Sequence, residues 1–197
     1  MPPSWVLASR NPGKAREFSR LLAGTGIRVE PLFAAGEPVA EENGSTYLEN
    51  ARAKAHAVAR RLRRPALADD SGIELDALDG RPGIYSARWA GEDPWHNTRE
   101  VLLALMEVPR PARGAALRAA VVLAWPDGRE LAGEGTLRGV ILGWPRGQGG
   151  FGVDPIFSLD GRTSLAEMDP AEKDAVGHRG QALRALLAAW EAAGRPE

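Results

Sequence analysis

The first 32 residues alternate between strand and helix patterns, and this constrains the fold more than any other feature of the sequence. Residues 5–8 form a short apolar run, and residues 14–22 place apolar side chains at helical spacing. Residues 27–32 then alternate apolar and polar side chains, as a half-buried strand does. A β-α-β opening of this kind favours an α/β fold in which at least part of the sheet is parallel.

Strand and helix patterns continue along the rest of the chain. They predict helices over 45–62, 97–108 and 179–192, and strands over 65–68, 73–78, 115–125 and 129–142. The last two strands are joined by 126–128, which contains Asp127-Gly128, a strong hairpin signature. The sequence shows no internal repeat and no linker between independent domains. We therefore expect one mixed α/β domain over 1–197, with a long hairpin added.

Composition excludes several classes of function. The chain has no cysteine, which excludes disulfide scaffolds, thiolate zinc sites and cysteine nucleophiles. Its net charge is -1, whereas a protein that grips nucleic acid through bulk charge shows a basic excess. Neither a signal peptide nor an apolar run long enough for a transmembrane helix is visible. We expect a cytoplasmic protein that binds neither nucleic acid nor membranes.

The basic residues are divided very unevenly between arginine and lysine. Only three of the 25 are lysines, namely Lys14, Lys54 and Lys173. The chain evidently uses arginine as its general surface cation, so each lysine is a candidate for a place where a compact ammonium group is preferred to a planar guanidinium. For any one lysine alone, chance is the alternative interpretation.

A first candidate site lies where the first predicted strand passes into the first helix, at residues 9–14. Free backbone N–H groups and the positive end of a helix dipole favour an anion at such a junction. Ser9, Asn11 and Lys14 add donors suited to a triphosphate. The segment is not a Walker A loop, and an ordinary capped turn is the alternative interpretation.

Two pairs of acidic residues form a second candidate. Glu41 and Glu42 lie in a polar loop, and Asp69 and Asp70 end a short apolar strand. Neighbouring strand residues point to opposite faces, so Asp69 and Asp70 have different roles, one of them bonding to backbone or to an arginine. Magnesium is often held by one or two carboxylates together with substrate phosphates, and one acid from each pair suits that arrangement. Solvated loop acids are the alternative.

A third candidate lies in the C-terminal third of the chain. A phenylalanine beside a glycine can stack on a nucleobase while the backbone approaches closely. Charged and polar side chains nearby can then bond to the edge of the base. The residues are Phe151, Gly152, Val153, Asp154, Lys173, His178 and Arg179. For His178 the alternative is a residue of a helix N-terminus with no further role.

Five segments in order resemble the inosine triphosphate pyrophosphatase family, which hydrolyses non-standard purine nucleoside triphosphates. They are LASRNPGK (7–14), EENGSTYLENARAKA (41–55), LADDSGIELDALDGRPGIYSARWAG (67–91), GQGGFGVDPIF (147–157) and AEKDAVGHRGQAL (171–183). Each motif alone is weakly specific, whereas the ordered set is highly specific. The resemblance extends from Leu7 to about Trp190.

The resemblance implies both a fold and an activity. The fold is an elongated mixed β-sheet flanked by helices, with two lobes around a central substrate cleft, commonly in a homodimer. The activity is Mg²⁺-dependent hydrolysis of ITP, dITP and XTP to the monophosphate and pyrophosphate, which cleanses the nucleotide pool.

The resemblance also implies roles for individual residues. Asp70 is expected to be the general base and a metal contact, with Glu42, or else Glu41, as the other metal carboxylate. Lys54 is expected to be a further phosphate contact. Asn50 is expected to help place the site, and Ser71 is expected to contact the substrate. The segment expected to hold the phosphates comprises Ser9, Arg10, Asn11, Pro12, Gly13 and Lys14, chiefly through Asn11 and Lys14. The expected base pocket comprises Phe151, Gly152, Val153, Asp154, Lys173, His178 and Arg179.

Four positions depart from the family pattern. Ser9 replaces a threonine and keeps its hydroxyl, and Arg10 is bulkier than the small residue often found there. Val153 stands where an aromatic residue is typical, which removes one stacking surface, and Gly177 replaces a serine. These differences affect base recognition and leave the phosphate chemistry intact.

Two other functions remain open from the sequence. One is a pyrophosphatase for modified pyrimidine nucleotides, which the missing aromatic at Val153 allows. The other is a catalytically silent nucleotide sensor. The acidic loop and Asp70 argue against a sensor, because a pure binder gains little from a desolvated carboxylate beside phosphates.

Overall fold

The computed structural model of the protein describes residues 2–32, 42–89 and 94–196. The strands are β1 (Ser4–Leu7), β2 (Arg28–Pro31), β3 (Ala66–Leu75), β4 (Gly114–Ala124), β5 (Glu130–Ile141) and β6 (Phe157–Ser158). The helices are α1 (Pro12–Leu21), α2 (Tyr47–Leu62), α3 (Pro94–Ala104), α4 (Pro170–Val176) and α5 (His178–Ala192). Within the described ranges, every helix is too short or too polar to cross a membrane.

The six strands form one sheet in the order β2-β1-β3-β4-β5-β6. Strand β1 runs parallel to β2, with Trp5 opposite Val29, and parallel to β3, with Leu7 opposite Leu67. Strand β6 pairs antiparallel with β5. The predicted mixed α/β fold, opened by a β-α-β unit, is confirmed.

The chain divides into two compact units. Unit 1 comprises Met1–Asp70, Ala119–Gly135 and His178–Glu197, and unit 2 comprises Ser71–Arg118 and Thr136–Gly177. Each unit has its own apolar core. That of unit 1 includes Trp5, Phe18, Val121, Leu123 and Leu186, and that of unit 2 includes Leu75, Leu105, Leu117, Ile156 and Phe157.

Two helices show how local sequence sets the ends of elements. Asn11 accepts hydrogen bonds from the backbone N–H groups of Gly13 and Lys14 and so caps α1, with Pro12 as the first helical residue. Thr46 caps α2 through the N–H of Glu49. The Glu49 carboxylate accepts in turn from the backbone N–H of Ser45 at 2.7 Å, so Glu49 is part of the cap of α2.

Several predicted elements differ from the structure. Strand β3 runs without interruption from Ala66 to Leu75, where the sequence predicted two shorter strands. Acidic residues in mid-strand suggest a loop, but here Asp69 and Asp70 are buried and their charges are balanced by ion pairs, so the strand continues. Helix α3 lies earlier than predicted, at Pro94–Ala104. Strand β6 and helix α4, at two and seven residues, are too short for periodicity to reveal.

Candidate functional site

Asp69 and Asp70 lie in the interior of β3 and belong to two different groups of charges in unit 1. Successive residues of a strand point to opposite faces. Asp69 contacts Lys14 and Arg179, whereas Asp70 contacts Lys54. The prediction that one of the two carboxylates bonds to an arginine is therefore confirmed, and the two have different partners.

The Asp69 cluster consists of Lys14, Glu17, Asp69 and Arg179, and it joins α1, β3 and α5. Asp69 Oδ2 lies 2.9 Å from Lys14 Nζ and accepts from Arg179 Nε at 3.1 Å. Arg179 Nη1 also donates to Glu17 Oε2 at 3.2 Å. Burial alone raises the pKa of the Asp69 carboxyl, but Lys14 and Arg179 outweigh burial and hold that pKa below its usual range. Asp69 therefore stays ionised at neutral pH and fixes the position of Lys14.

Burial also acts on Lys14. Its side chain is 16% exposed. Burial lowers the pKa of the Lys14 ammonium, the neighbouring charges of Arg179 and Lys54 lower it further, and Asp69 opposes both. A nearby anion stabilises the charged form of such an ammonium group, so Lys14 is suited to bind a phosphate.

The Lys54 cluster consists of Glu42, Asn50, Lys54 and Asp70. Lys54 Nζ donates to Glu42 Oε1 at 2.7 Å and to Asp70 Oδ1 at 2.9 Å. Asn50 Nδ2 donates to Asp70 Oδ2 at 3.2 Å, and Asn50 Oδ1 accepts from the backbone N–H of Gly44 at 2.8 Å. Asn50 thus connects the loop that carries Glu42 with the strand that carries Asp70.

The electrostatic balance of the Lys54 cluster makes Asp70 a stronger base than an ordinary aspartate. Burial raises the pKa of the Asp70 carboxyl, Lys54 lowers it, and the negative charge of Glu42 raises it, with a net upward shift. Burial opposes the charge on Lys54, but Asp70, Asp69 and Glu42 outweigh burial and raise the pKa of Lys54. The ammonium stays charged while the carboxylate gains proton affinity.

The Lys54 cluster also has the donors that a magnesium ion prefers. Mg²⁺ takes oxygen ligands and commonly uses one or two carboxylates, with water and phosphate oxygens completing its shell. Glu42 and Asp70 converge on the single Nζ atom of Lys54, at 2.7 and 2.9 Å, so their oxygens meet at one place. Among the residues described, no three His, Cys, Asp or Glu side chains gather closely enough to enclose a metal. The donor set fits an ion shared with phosphate oxygens.

The segment 9–14 is ordered by its own hydrogen bonds. Ser9 Oγ accepts from the backbone N–H of Asn11 at 3.2 Å, and the Asn11 side chain is occupied as the cap of α1. Arg10, Asn11 and Pro12 are exposed, and Gly13 is buried. Lys14 is the member of this segment that joins the Asp69 cluster.

In unit 2, the segment 150–154 forms a tight turn around the carboxylate of Asp154. Asp154 Oδ2 accepts from the backbone N–H of Phe151 at 2.7 Å and from Lys173 Nζ at 2.5 Å. The same ammonium lies 5.2 Å from the centroid of the Phe151 ring. Asp154 and Lys173 are buried, while Phe151 is partly exposed. The turn therefore brings an aromatic face and a cation together, and both groups are able to contact a planar ligand.

Two glycines make this turn sterically feasible. Gly150 has φ +68°, and a Cβ there would overlap the Asp154 carboxylate. Gly152 has φ +61°, also in the left-handed region. Val153 packs against the core of unit 2, so its side chain is used for packing.

The remaining predicted site residues are divided between the units or lie elsewhere. His178 and Arg179 open α5 in unit 1 and are buried there, Arg179 within the Asp69 cluster. Ser71 follows Asp70 on β3. Glu41 lies outside the described residues, so the choice between Glu41 and Glu42 rests on the contact of Glu42 with Lys54.

Sequence reasoning overlooked two buried polar residues that touch these groups. Glu17 pairs with Arg179 and is 1% exposed. Its spacing of three residues from Lys14 on one helix was a usable indication. Thr98 donates to the carbonyl of Gly152 at 3.1 Å, and no local pattern distinguishes it from other helical threonines.

Comparison with known proteins finds relatives that match nearly the whole chain. A relative from Halalkalibacterium halodurans, named dITP/XTP pyrophosphatase, is 46% identical over 187 residues, which cover 92% of this chain and 96% of the relative. The solved structure of a HAM1 protein from Coxiella burnetii is 37% identical and superimposes with a TM-score of 0.81, over 98% of this chain and 100% of that one.

A second solved structure is named nucleoside-triphosphatase / dITP/XTP pyrophosphatase, from Mycobacterium abscessus. It is 41% identical, with a TM-score of 0.71, over 94% of this chain and 98% of that one. The model of the Ham1 family matches residues 5–189. The resemblance seen in the motifs is thereby confirmed, and since the match takes in both charge clusters and the 150–154 turn, the chain belongs to the Ham1 family.

Proposed function

We propose that this protein is a nucleoside triphosphate pyrophosphatase that hydrolyses dITP and XTP, and also ITP, to the monophosphate and pyrophosphate. The observation that carries the proposal is the convergence of Glu42 and Asp70 on Lys54, next to the Asp69 cluster that fixes Lys14. Relatives that match nearly the whole chain are named dITP/XTP pyrophosphatase. Two carboxylates and two lysines are the side chains that metal-assisted phosphoryl chemistry needs.

In the proposed mechanism Asp70 is the general base. Its raised pKa, caused first by burial, suits it to take a proton from a water molecule. The water oxygen bonds to the α-phosphorus as the bond to the β-phosphate oxygen breaks, and the water proton passes to Asp70. Lys14 and Lys54 offset the charge on the departing pyrophosphate. We assign Glu42 and Asp70 to hold Mg²⁺, which supplies polarisation of the phosphate oxygens when bound.

We assign recognition of the base to Phe151 and Lys173, which lie together in unit 2. Hypoxanthine and xanthine carry a 6-oxo group that accepts hydrogen bonds, whereas adenine carries a 6-amino group that donates them. A pocket that presents donors leaves groups unpaired when adenine enters, and such a mismatch costs about 1–3 kcal/mol. Arg179 differs from these residues, because its guanidinium is already bound to Asp69 and Glu17.

The homodimer expected from the resemblance and the cytoplasmic location expected from the sequence features belong to the same proposal. Light scattering during gel filtration tests the first, since a dimer has twice the 21.1 kDa mass of the chain. Fractionation of the source cells tests the second.

The main experiment measures pyrophosphate release with Mg²⁺ from dITP, XTP and ITP against ATP and GTP, for wild type and Asp70→Asn. Removing a general base costs about 10²- to 10⁴-fold, so kcat/KM for XTP should fall by that factor. Asp76→Asn is the matched control, because Asp76 is an exposed carboxylate paired with Arg138 and its replacement should leave kcat/KM unchanged.

Each alternative function has its own outcome in this experiment. Binding of XTP without turnover by wild type would point to a nucleotide sensor. Turnover of 5-methyl-UTP faster than XTP would point to a pyrophosphatase for modified pyrimidine nucleotides. Equal rates with all purine triphosphates would retain the phosphate chemistry and refute the assignment of the base pocket.

A further inference from the structure

We infer that Thr98, on helix α3, is a positioning residue that holds the 150–154 turn and thereby sets the affinity for the nucleobase. The inference rests on the proposed function, because the turn is the segment assigned there to the base. Thr98 is 54 residues from Gly152 in sequence and lies outside the motifs that carry the family resemblance.

The turn has internal hydrogen bonds between its ends, external ones from Lys173 and Ala166 to Asp154, and a further external one at its middle. At the ends, the N–H of Phe151 donates to Asp154 Oδ2 at 2.7 Å, and the N–H of Asp154 donates to the carbonyl of Phe151 at 3.3 Å. In the middle, the carbonyl of Gly152 accepts from Thr98 Oγ1 at 3.1 Å. The direction of the peptide between Gly152 and Val153, one residue beyond Phe151, is thus tied to a side chain from a different element.

Thr98 is well placed to act as a fixed anchor. It is 2% exposed, so water does not compete for its hydroxyl. One turn further along the same helix, Val101 is 1% exposed and packs in the core of unit 2, and Leu105 follows it there. A buried donor on a packed helix has little freedom to move, and a partly buried carbonyl that loses its donor is left without a protein partner for that hydrogen bond.

A further attachment of the turn is apolar. Val153 packs against the same core as Val101. Apolar packing fixes distance but is not directional, whereas the hydrogen bond from Thr98 fixes the orientation of the Gly152 peptide. Loss of the hydroxyl therefore lets the peptide rotate and moves the Phe151 ring from its place 5.2 Å from Lys173 Nζ.

This role separates binding of the base from phosphate chemistry. The groups assigned to phosphate and water, namely Lys14, Lys54 and Asp70, belong to unit 1, whereas Thr98 and the turn belong to unit 2. A change at Thr98 should therefore lower the affinity for the base, while the groups that carry out the chemical step stay unchanged.

The test compares Thr98→Val, which keeps the shape and removes the hydroxyl, with Thr98→Ser, which keeps the hydroxyl. In Thr98→Val, the KM for XTP and the Kd for xanthosine monophosphate should rise about three- to tenfold, the size expected for one buried hydrogen bond. The kcat at saturating XTP and the inhibition constant of inorganic pyrophosphate should stay within about twofold of wild type. Thr98→Ser should restore both KM and Kd.

Thr136→Val is the matched control, because it removes a hydroxyl that accepts from Arg118 elsewhere in unit 2. If Thr98→Val precipitates, Thr98→Ala takes its place. Unchanged KM and Kd, equal losses in kcat and in pyrophosphate binding, or failure of Thr98→Ser to rescue would each overturn the inference.

The proposed function can fail separately. Wild type that binds xanthosine monophosphate but does not hydrolyse XTP refutes the activity, and the Kd values still decide the role of Thr98. Wild type that binds neither nucleotide refutes both.

Discussion

Neighbouring aspartates on one strand have opposite electrostatic environments. Both Asp69 and Asp70 are buried, and burial raises the pKa of any carboxyl group. Asp69 has two cations in contact, Lys14 and Arg179, and its pKa shifts downward. Asp70 shares the single ammonium of Lys54 with Glu42, and its pKa shifts upward. The first is therefore a permanent anion suited to holding Lys14, and the second is suited to taking up a proton.

The Asp69 cluster should be a large contributor to stability. Asp69→Asn leaves Lys14 and Arg179 without their shared anion, and breaking a buried pair in this way costs about 3–5 kcal/mol. A carboxyl whose pKa is lowered in the folded state stabilises above its unfolded pKa, near pH 4, and loses that contribution as pH falls further. Urea unfolding at pH 7 and at pH 3 should show a difference between wild type and Asp69→Asn that shrinks at the lower pH.

Asp76→Asn again serves as the control. Its partner Arg138 is 61% exposed, and such surface pairs contribute about 0–1 kcal/mol. If Asp69→Asn cost no more than Asp76→Asn at pH 7, the Asp69 cluster would not be the anchor described above.

At the scale of residues, sequence reasoning identified the charged groups better than their partners. The scarcity of lysine pointed to Lys14, Lys54 and Lys173, and each is in an ion pair at a candidate site. The pairing of Glu17 with Arg179 spans 162 residues and depends on how α1 and α5 pack, which no local pattern encodes.

At the scale of elements, β5 and α5 approach closely because two glycines of the strand lie beneath the helix. A Cβ on Gly135 would overlap the carbonyl oxygen of His178, and one on Gly133 would overlap that of Ala182. The close contact places the start of α5, with His178 and Arg179, against the sheet of unit 1. The helix cannot move outward without disturbing the Asp69 cluster.

Gly135→Ala should consequently destabilise the protein by about 1–3 kcal/mol, the usual cost of overpacking a well-packed contact. Where no clash arises, a change from glycine to alanine stabilises the fold by about 0.4–1 kcal/mol, because it reduces the conformational entropy of the unfolded chain. Gly143→Ala is the comparison, because its nearest neighbour would be a side-chain nitrogen of Arg110 at 3.7 Å, an ordinary contact. If the melting temperature rises for both variants, α5 can shift away from β5 at little cost in free energy.

The elements that sequence reasoning predicted correctly are those with long patterns or decisive turns. The hairpin formed by β4 and β5 closes through Trp125 N–H to the carbonyl of Arg129 at 2.9 Å, with Gly128 at φ +95°, as Asp127-Gly128 predicted. The continuity of β3 was missed because a run of polar residues resembles a loop until their ion-pair partners are known.

At the scale of the whole molecule, the charge balance predicts a fold that does not depend on metal. Lys54 lies within 2.9 Å of both carboxylates assigned to Mg²⁺, so it offsets their repulsion when the metal is removed. Chelation with EDTA should abolish pyrophosphate release and shift Tm by no more than about 2 °C, which is less than 1 kcal/mol for a chain of this size. Excess Mg²⁺ should restore turnover, which excludes irreversible damage. A fall in Tm of many degrees would contradict this balance.

The overall class was predictable and the resemblance implied two lobes, while the boundaries of the two units were not predictable. The β-α-β opening indicated a partly parallel sheet, which β1, β2 and β3 confirm. The two units share no simple sequence boundary, because single strands contribute to both. Strand β4, for example, gives Leu117 to the core of unit 2 and Val121 to the core of unit 1. Hydrophobic periodicity reports which face of a strand is buried and not which core covers it.

The scarcity of lysine has a practical consequence for handling the protein. Side chains of Lys14, Lys54 and Lys173 are only 16%, 6% and 5% exposed, and all three belong to the candidate sites. Amine-reactive dyes and crosslinkers therefore find few accessible side-chain targets on the folded chain, and every lysine they do acylate is one assigned to substrate. Nucleotide that protects these lysines from acylation gives a direct footprint of the bound state, whereas immobilising the protein through its lysines removes the groups that a binding assay needs.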